Sequence, residues 1–423
     1  MSDTRIKEIL YRNVFDSRGV ETLEIDLRTR GGGYARVAAP FGAPGSRGEF
    51  EAPAYAPEGL AAMPALLDRE IIPALVGLDA NEQEKIDDLL VQIDGSANFE
   101  RIGGNTSSVL SIAVARAAAD TKKIPLYKHL QGNTVFTLPT PLGNVIGGGA
   151  HSLGPAPDMQ EHMVLPIGCK SVRQAIEINL KVHKEAGRLL EKRDIGFAGG
   201  MDDEDAWAAN LNDVQALELI EEAKKRIEDE TGISIRMGLD LAADRLWNSI
   251  KNVYRYEREG VERSAAQQLE FVQSLMDRFD LVYVEDAFNS NDYDSFATLT
   301  SNAPSNCIIC ADDIYASNSL RTLVGINKKS AHAMIIKPNQ VGTITGARRT
   351  ALLAQSHGID IIISNRSGET PDVSIADLGV AWNAIAIKAG VRGGGRIIKL
   401  NELIRIEQTE VNIQLADLNS LKI

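Results

Sequence analysis

Apolar and polar positions alternate in two ways along this chain. Between about residues 5 and 40 the period is two. Thr22-Leu-Glu-Ile-Asp-Leu-Arg-Thr29 reads as one strand, Gly31-Gly-Gly33 as a turn and Tyr34-Ala-Arg-Val-Ala-Ala39 as the next strand. Gly, Pro and Ala crowd the stretch from Pro40 to Pro57, which reads as a long irregular loop of the kind often kept for function. Helical periods follow over Leu60–Val76, Asn81–Ile93 and Ser107–Lys123, the last with Asn105 and Thr106 as caps. Strands followed by helices predict an α+β domain over residues 1–132, which ends in a linker around Gln131–Thr137.

Beyond the linker the pattern changes to short apolar runs separated by helical stretches. Leu138–Val145 and Met159–Leu165 read as strands, with His151 in the loop between them and Glu161 on the second. Two amphipathic helices are predicted over Ser171–Arg193 and Val214–Glu230. The acidic run Asp202-Asp-Glu204-Asp205 lies between them and reads, by composition, as a solvated loop. Six further strands are Ile235–Asp240, Leu281–Glu285, Cys307–Asp312, Ala333–Lys337, Ile359–Asn365 and Ala384–Lys388. Segments such as Asp292–Thr300 and Asn318–Lys329 supply helices among them. The expected fold class is α/β: a (β/α)8-type barrel over residues 133–423, preceded by the α+β domain. Each of the six strands ends on Asp, Glu, Lys or Asn, and parallel strands bring those ends to the one rim where such barrels carry active sites.

Composition narrows the function. The chain of 423 residues can bury a large core. Its net charge of −13 gives nucleic-acid binding no electrostatic support. A small anionic substrate would need local positive charge or a metal for capture. No apolar run reaches transmembrane length, and the N-terminus lacks the apolar core of a signal peptide, so a cytoplasmic protein without a membrane partner is expected. Cys307 and Cys310 have metal-like spacing, but odd spacing inside an apolar strand sends them to opposite faces, where both pack the core.

The rim residues carry the chemistry. Asp240, Glu285 and Asp312 form an all-carboxylate set, and hard oxygen ligands favour Mg²⁺. Lys337 and Lys388 end later strands of the same rim. A lysine acting as base must have its pKa lowered, which a divalent cation and a second lysine nearby would do. The set suits removal of a proton next to a carboxylate, with the metal holding the dianionic intermediate. For either lysine taken alone, simple pairing with the acids is the alternative.

Ordered motifs along nearly the whole chain resemble those of the enolases. They include Asp16-Ser-Arg-Gly19, Ile124-Pro-Leu-Tyr127, Gln160-Glu161, Gly238-Leu-Asp240, Val284-Glu-Asp286, Ala311-Asp-Asp313, Asn339-Gln-Val-Gly-Thr343, Arg366-Ser-Gly-Glu-Thr370 and Lys399-Leu-Asn-Glu-Leu-Ile-Arg-Ile-Glu407. The resemblance implies that Asp240, Glu285 and Asp312 hold the first magnesium, Lys337 takes the α-proton and Lys388 faces the substrate carboxylate. It also makes Glu204, assisted by Glu161, the acid that protonates the departing hydroxyl. His151 matches a histidine on a closing loop, and Arg366 and Ser367 match the phosphate contacts. A homodimer or higher homo-oligomer is implied as well, with Arg18 and Glu407 as interface partners.

Several positions depart from the family pattern. Pro44 replaces a loop serine that helps bind a second magnesium, with Ser46 as a substitute, and Asn365 replaces a histidine beside the phosphate arginine. The family's Gly-Asp-Glu-Gly-Gly becomes Asp202-Asp-Glu204-Asp-Ala206, and the segment from Ala389 to Arg396 is rewritten. An insertion also separates His151 from Glu161. The implied activity is therefore Mg-dependent loss of water from 2-phosphoglycerate to give phosphoenolpyruvate. The alternatives are an enolase-like lyase for a related phospho- or phosphono-acid, as in carboxyphosphonoenolpyruvate synthases, and a non-catalytic structural protein like the lens crystallins.

Overall fold

A computed structural model describes residues 3–42, 50–131, 136–193, 196–411, 413–416 and 418. Pro44 and Ser46, and most of the linker expected after Gln131, lie outside the described residues. Strands β1 (Ile6–Phe15), β2 (Glu21–Thr29) and β3 (Tyr34–Ala38) form the expected antiparallel meander. Its apolar face, with Leu23, Ile25 and Leu27, joins the large core. Leu60–Leu75 is helical but uneven, passing from a 3₁₀ turn through a wide π turn at Leu67–Ile71. Pro73 follows the wide turn; it has no N–H for the ordinary ladder, and a wide turn absorbs such a break.

Helix α1 spans Gln83–Asp94 and α2 spans Gly104–Lys122. The expected caps Asn105 and Thr106 lie inside α2, which begins three residues earlier than its polar pattern suggested. Carbonyls of Pro53 and Ala54 accept from the N–H groups of Gly104 and Asn105, so the first turn needs no side-chain cap. The Asn105 side chain instead accepts from Asn339 of the barrel at 2.9 Å.

The barrel strands are β4 (Thr140–Gly147), β5 (Glu161–Ile167), β6 (Ser234–Asp240), β7 (Leu281–Glu285), β8 (Ile308–Ala311), β9 (Ala333–Ile336), β10 (Asp360–Ser364) and β11 (Ala386–Lys388). They close through pairing of β11 with β4. One feature departs from strict alternation: β5 runs antiparallel to both β4 and β6. No crossover helix separates β4 from β5, so the chain turns straight back, and a parallel return needs a crossover. As a result Glu161, at the start of its strand, reaches the same rim as residues at the ends of the others.

Alternate strand residues face inward and outward. Leu142, Met163, Tyr283, Ile308, Cys310, Ile335 and Ile362 fill the barrel, while Ile309, Met334, Ile336, Ile361 and Ile363 pack outward. Cys310 is inside and Cys307 outside, both fully buried, as odd spacing requires. The outer layer includes α3 (Val172–Arg193), α4 (Asp213–Thr231), α5 (Ala265–Phe279), α6 (Tyr293–Asn302), α7 (Ser319–Lys328), α8 (Ile344–Ser356), α9 (Ser374–Ala381) and α10 (Gly394–Thr409). Reciprocal capping boxes, Asn212 with Gln215 and Ser264 with Gln267, start α4 and α5. The N-terminal part reaches the rim through paired backbones: Phe41 and Gly368 exchange hydrogen bonds of 2.8 Å, and Ala52 donates to the Gln340 carbonyl. Among the described residues, no helix is long and apolar enough to cross a membrane.

Candidate active site

Strand register decides which rim carboxyls meet. Glu285 lies opposite Asp240, and Asp240 opposite Glu161. Lys388 reaches all three, its Nζ 2.8 Å from Glu285, 3.0 Å from Asp240 and 3.2 Å from Glu161. Burial opposes the charge of Lys388, but these carboxylates outweigh it and hold its pKa well above the usual lysine value. Burial and neighbouring Asp240 raise the Glu285 pKa as well, to about 8. Tyr283 donates to Oε2 of Glu285, while its Oε1 is buried without a hydrogen-bond partner.

Asp312 stands apart from that trio. Its N–H and that of Asp313 both donate to the Asp286 carboxylate at 2.9 Å. One oxygen of Asp312 pairs with the Lys337 ammonium, and the other accepts from Gln340 at 3.3 Å. Asp286, Asp312 and Asp313 thus bring ligand atoms within 4.8 Å of one another. Burial works to lower the pKa of Lys337, but Asp312 outweighs it and the net shift is upward. The direction is opposite to the one a base requires, because in this arrangement Asp312 spends its charge on the lysine.

A further cluster lines the same cavity. His151, Glu161 and Glu204 bring ligand atoms within 4.8 Å of one another. Two buried carboxyls that close cannot both ionise. Burial and the surrounding carboxylates raise Glu161, whereas the Arg396 guanidinium overcomes burial to lower Glu204. Glu161 is thus pushed toward its neutral form and Glu204 toward its charged form. Burial lowers His151 and keeps its imidazole neutral. The expected solvated loop is in fact folded inward, with Glu204 only 4 % exposed. Asp202 makes this turn, its Oδ1 accepting from the N–H groups of Glu204 at 2.8 Å and Ala206 at 2.9 Å. Gly147 gives Asp202 room: a Cβ there would lie 1.6 Å from its carboxylate oxygen.

Asn365, Arg366 and Ser367 follow β10. Arg366 is buried, with Glu51 at 2.8 Å and the Asn339 amide oxygen at 3.0 Å. Burial works against the Glu51 charge, but Arg366 and Lys337 hold its carboxyl below the usual range. The Asn365 amide fits with its nitrogen 3.0 Å from the Lys388 carbonyl and its oxygen toward Arg396. A cavity of about 390 Å³ is lined by every sequence-predicted site residue except Glu285, which is fully buried behind it. Arg18 and Glu407 both have partners within the chain: the Phe41 carbonyl at 2.9 Å and the Val172 N–H at 2.7 Å.

Glu51, Gln340, Asp286, Asp313 and Arg396 also belong to this network, and sequence reasoning gave them no role. The doublets Glu285-Asp286 and Asp312-Asp313 carried a trace of it, whereas a lone Glu51 in an irregular loop carried none. The residues present fit a hard divalent cation. The donors are carboxylates, and the buried, partnerless Oε1 of Glu285 is an acceptor awaiting a donor or an ion.

Comparison with known proteins agrees with this geometry. The family model described as Enolase, N-terminal domain matches residues 6–130, and that described as Enolase, C-terminal TIM barrel domain matches residues 135–416. The enolase of Methanosphaera stadtmanae is 41 % identical over 416 residues, covering 98 % of this chain and 100 % of the relative. That of Archaeoglobus fulgidus is 42 % identical over 403 residues, covering 95 % and 97 %. That of Halorubrum lacusprofundi is 42 % identical over 412 residues, covering 96 % and 100 %.

Proposed function

The chain belongs to the enolase family, and from that premise we propose how its own residues perform the reaction. It is a carbon–oxygen hydro-lyase of the phosphopyruvate hydratase type, forming phosphoenolpyruvate and water from 2-phosphoglycerate. The relatives do not favour the phosphono-acid reading, and they stand against a non-catalytic one. One observation carries the assignment of roles: buried Lys388 and half-buried Lys337, each paired with acids, line a single cavity at the barrel rim together with Glu204 and His151.

In this reading Lys388 meets the substrate carboxylate while Arg366 and Ser367 take the phosphate, which sets the α-carbon before Lys337. Neutral Lys337 removes the α-proton. Glu204, resupplied by Glu161, then donates a proton to the β-hydroxyl, which leaves as water. His151 covers the leaving group. The family uses a divalent metal, and Mg²⁺ is the ion proposed here, held by Asp240, Glu285 and Asp312. Bound there, the ion would stabilise negative charge on the substrate carboxylate and would share the charge of Asp312 that now falls on Lys337. The remaining proposals are a domain boundary between residues 132 and 133, a cytoplasmic location and a homodimer.

The test follows phosphoenolpyruvate absorbance with purified protein, 2-phosphoglycerate and Mg²⁺. Turnover that a chelator abolishes and Mg²⁺ restores is the expected outcome. Absence of turnover, with α-deuterium exchange on a phosphono-acid instead, would contradict it.

A further inference from the structure

Arg396 leads the fully buried side chains by volume, at 1 % exposure, and the mechanism above gives it no part. It lies in the first turn of α10, where its guanidinium gathers separate pieces of backbone. Nη2 donates to the Ser367 carbonyl at 2.6 Å and to the Asp203 carbonyl at 2.8 Å. Nη1 donates to the Arg366 carbonyl at 3.3 Å and faces Glu204 Oε1 at 3.5 Å. The Asn365 amide oxygen abuts the same nitrogen. Among the described residues, Glu204 is the one carboxylate within ion-pair distance of Arg396.

These contacts divide into two groups. Asp203 and Glu204 belong to the loop that delivers a proton, whereas Asn365, Arg366 and Ser367 belong to the segment that receives the phosphate. A planar fork of donors can hold both at a fixed separation; a lysine ammonium, a compact point charge, cannot. Proton delivery to a leaving group demands placement to within about 0.5 Å. Lys337 and its acids lie on strand tips and do not depend on this bridge.

We propose that Arg396 is a positioning residue for the elimination half of the reaction, fixing the Glu204 carboxyl relative to segment 365–367. The inference rests on Glu204 being the proton donor. It separates two steps: losing the bridge impairs departure of the hydroxyl far more than removal of the α-proton, which feels the bridge only through the phosphate contacts of Arg366 and Ser367.

The experiment compares Arg396→Lys, Glu204→Gln and the double variant, each saturated with Mg²⁺. It measures phosphoenolpyruvate formation, α-deuterium exchange of 2-phosphoglycerate in D₂O, and Tm. Arg396→Lys should slow elimination about 10²-fold, within the range of general acid catalysis, and lower exchange far less at saturating 2-phosphoglycerate. In the Glu204→Gln background it should add nothing, because both changes act through one carboxyl. Parallel loss of exchange and elimination, or an additive effect in the double variant, would overturn the proposal, as would an Arg396→Lys protein with full elimination. If Arg396→Lys does not fold, Arg396→Gln, which keeps a neutral donor in the same turn, substitutes for it, and the same split should follow. Elimination and exchange falling equally in Arg396→Gln would again refute the bridge. Full elimination by Glu204→Gln alone would refute the premise instead of the bridge.

Discussion

The two walls of the cavity are built by different means. On one, Asp240, Glu285, Lys337 and Lys388 stand at or just beyond strand ends, placed by hydrogen-bonded register and a packed barrel interior. On the other, Glu204, Asn365 and Arg366 sit on loops, held by buried side-chain contacts to Asp202, Glu51 and Arg396. The backbone ladder would keep the first wall in place if any one side chain were lost. The second wall has only scattered backbone bonds, such as Asp203 to the His151 carbonyl and Asn365 to the Lys388 carbonyl, and relies more on side chains, so a single substitution can move it. Chemistry shared with other acids therefore sits on the rigid wall, and the family's altered positions cluster on the adjustable one.

The largest effect should come from the rigid wall. Lys337→Ala removes the proposed base and should lower both exchange and elimination by about 10⁴-fold, the upper range for general base catalysis, in a protein that still folds but with a lower Tm because Asp312 loses its partner. A variant that still exchanges the α-proton would take Lys337 out of that role. On the adjustable wall, Glu51→Gln leaves the buried Arg366 short of a counter-charge. Breaking such a pair costs about 3–5 kcal/mol, so Tm should fall and KM for 2-phosphoglycerate rise. An unchanged KM would show that Glu51 does not support the phosphate contact.

A smaller effect is expected at Asn365, where a neutral acceptor faces the Arg396 guanidinium. Asn365→His risks a second cation there and should lower turnover about tenfold, consistent with about 1–3 kcal/mol for disturbing a buried hydrogen bond. A gain in turnover would mean that the loop wall is a degraded version of the family site. The smallest effect concerns His183, which donates to the Asp205 carbonyl at 3.1 Å and stacks on Trp207 beneath the acid loop. Burial lowers its pKa from 6.5 to about 4. Below pH 6.5 the unfolded chain binds a proton that the folded chain refuses, so stability falls as pH drops from 6.5 toward 4. His183→Gln should flatten that part of the stability–pH curve relative to the parent, and curves of equal slope would remove His183 from the support of the loop.

The same contrast explains what the sequence made legible. Strand tips such as Asp240 and Lys388 repeat at regular spacing after runs of Val and Ile, so periodicity alone finds them. Glu204 did not show itself this way: an acidic loop reads as solvated, and only resemblance lifted it to a catalytic role. Glu51 and Arg396 escaped both routes, because a buried ion pair between distant segments leaves no local pattern. The antiparallel β5 was equally hidden, since the direction of a strand depends on whether a crossover precedes it. The start of α2 was missed because backbone carbonyls, not a polar side chain, cap it.

The most direct measurement of the central claim is α-deuterium exchange of 2-phosphoglycerate by Glu204→Gln in D₂O with Mg²⁺. With proton removal on one wall and proton delivery on the other, the variant should exchange the α-proton while forming almost no phosphoenolpyruvate. Loss of exchange together with elimination, in a folded protein, would contradict the division of labour between the two walls.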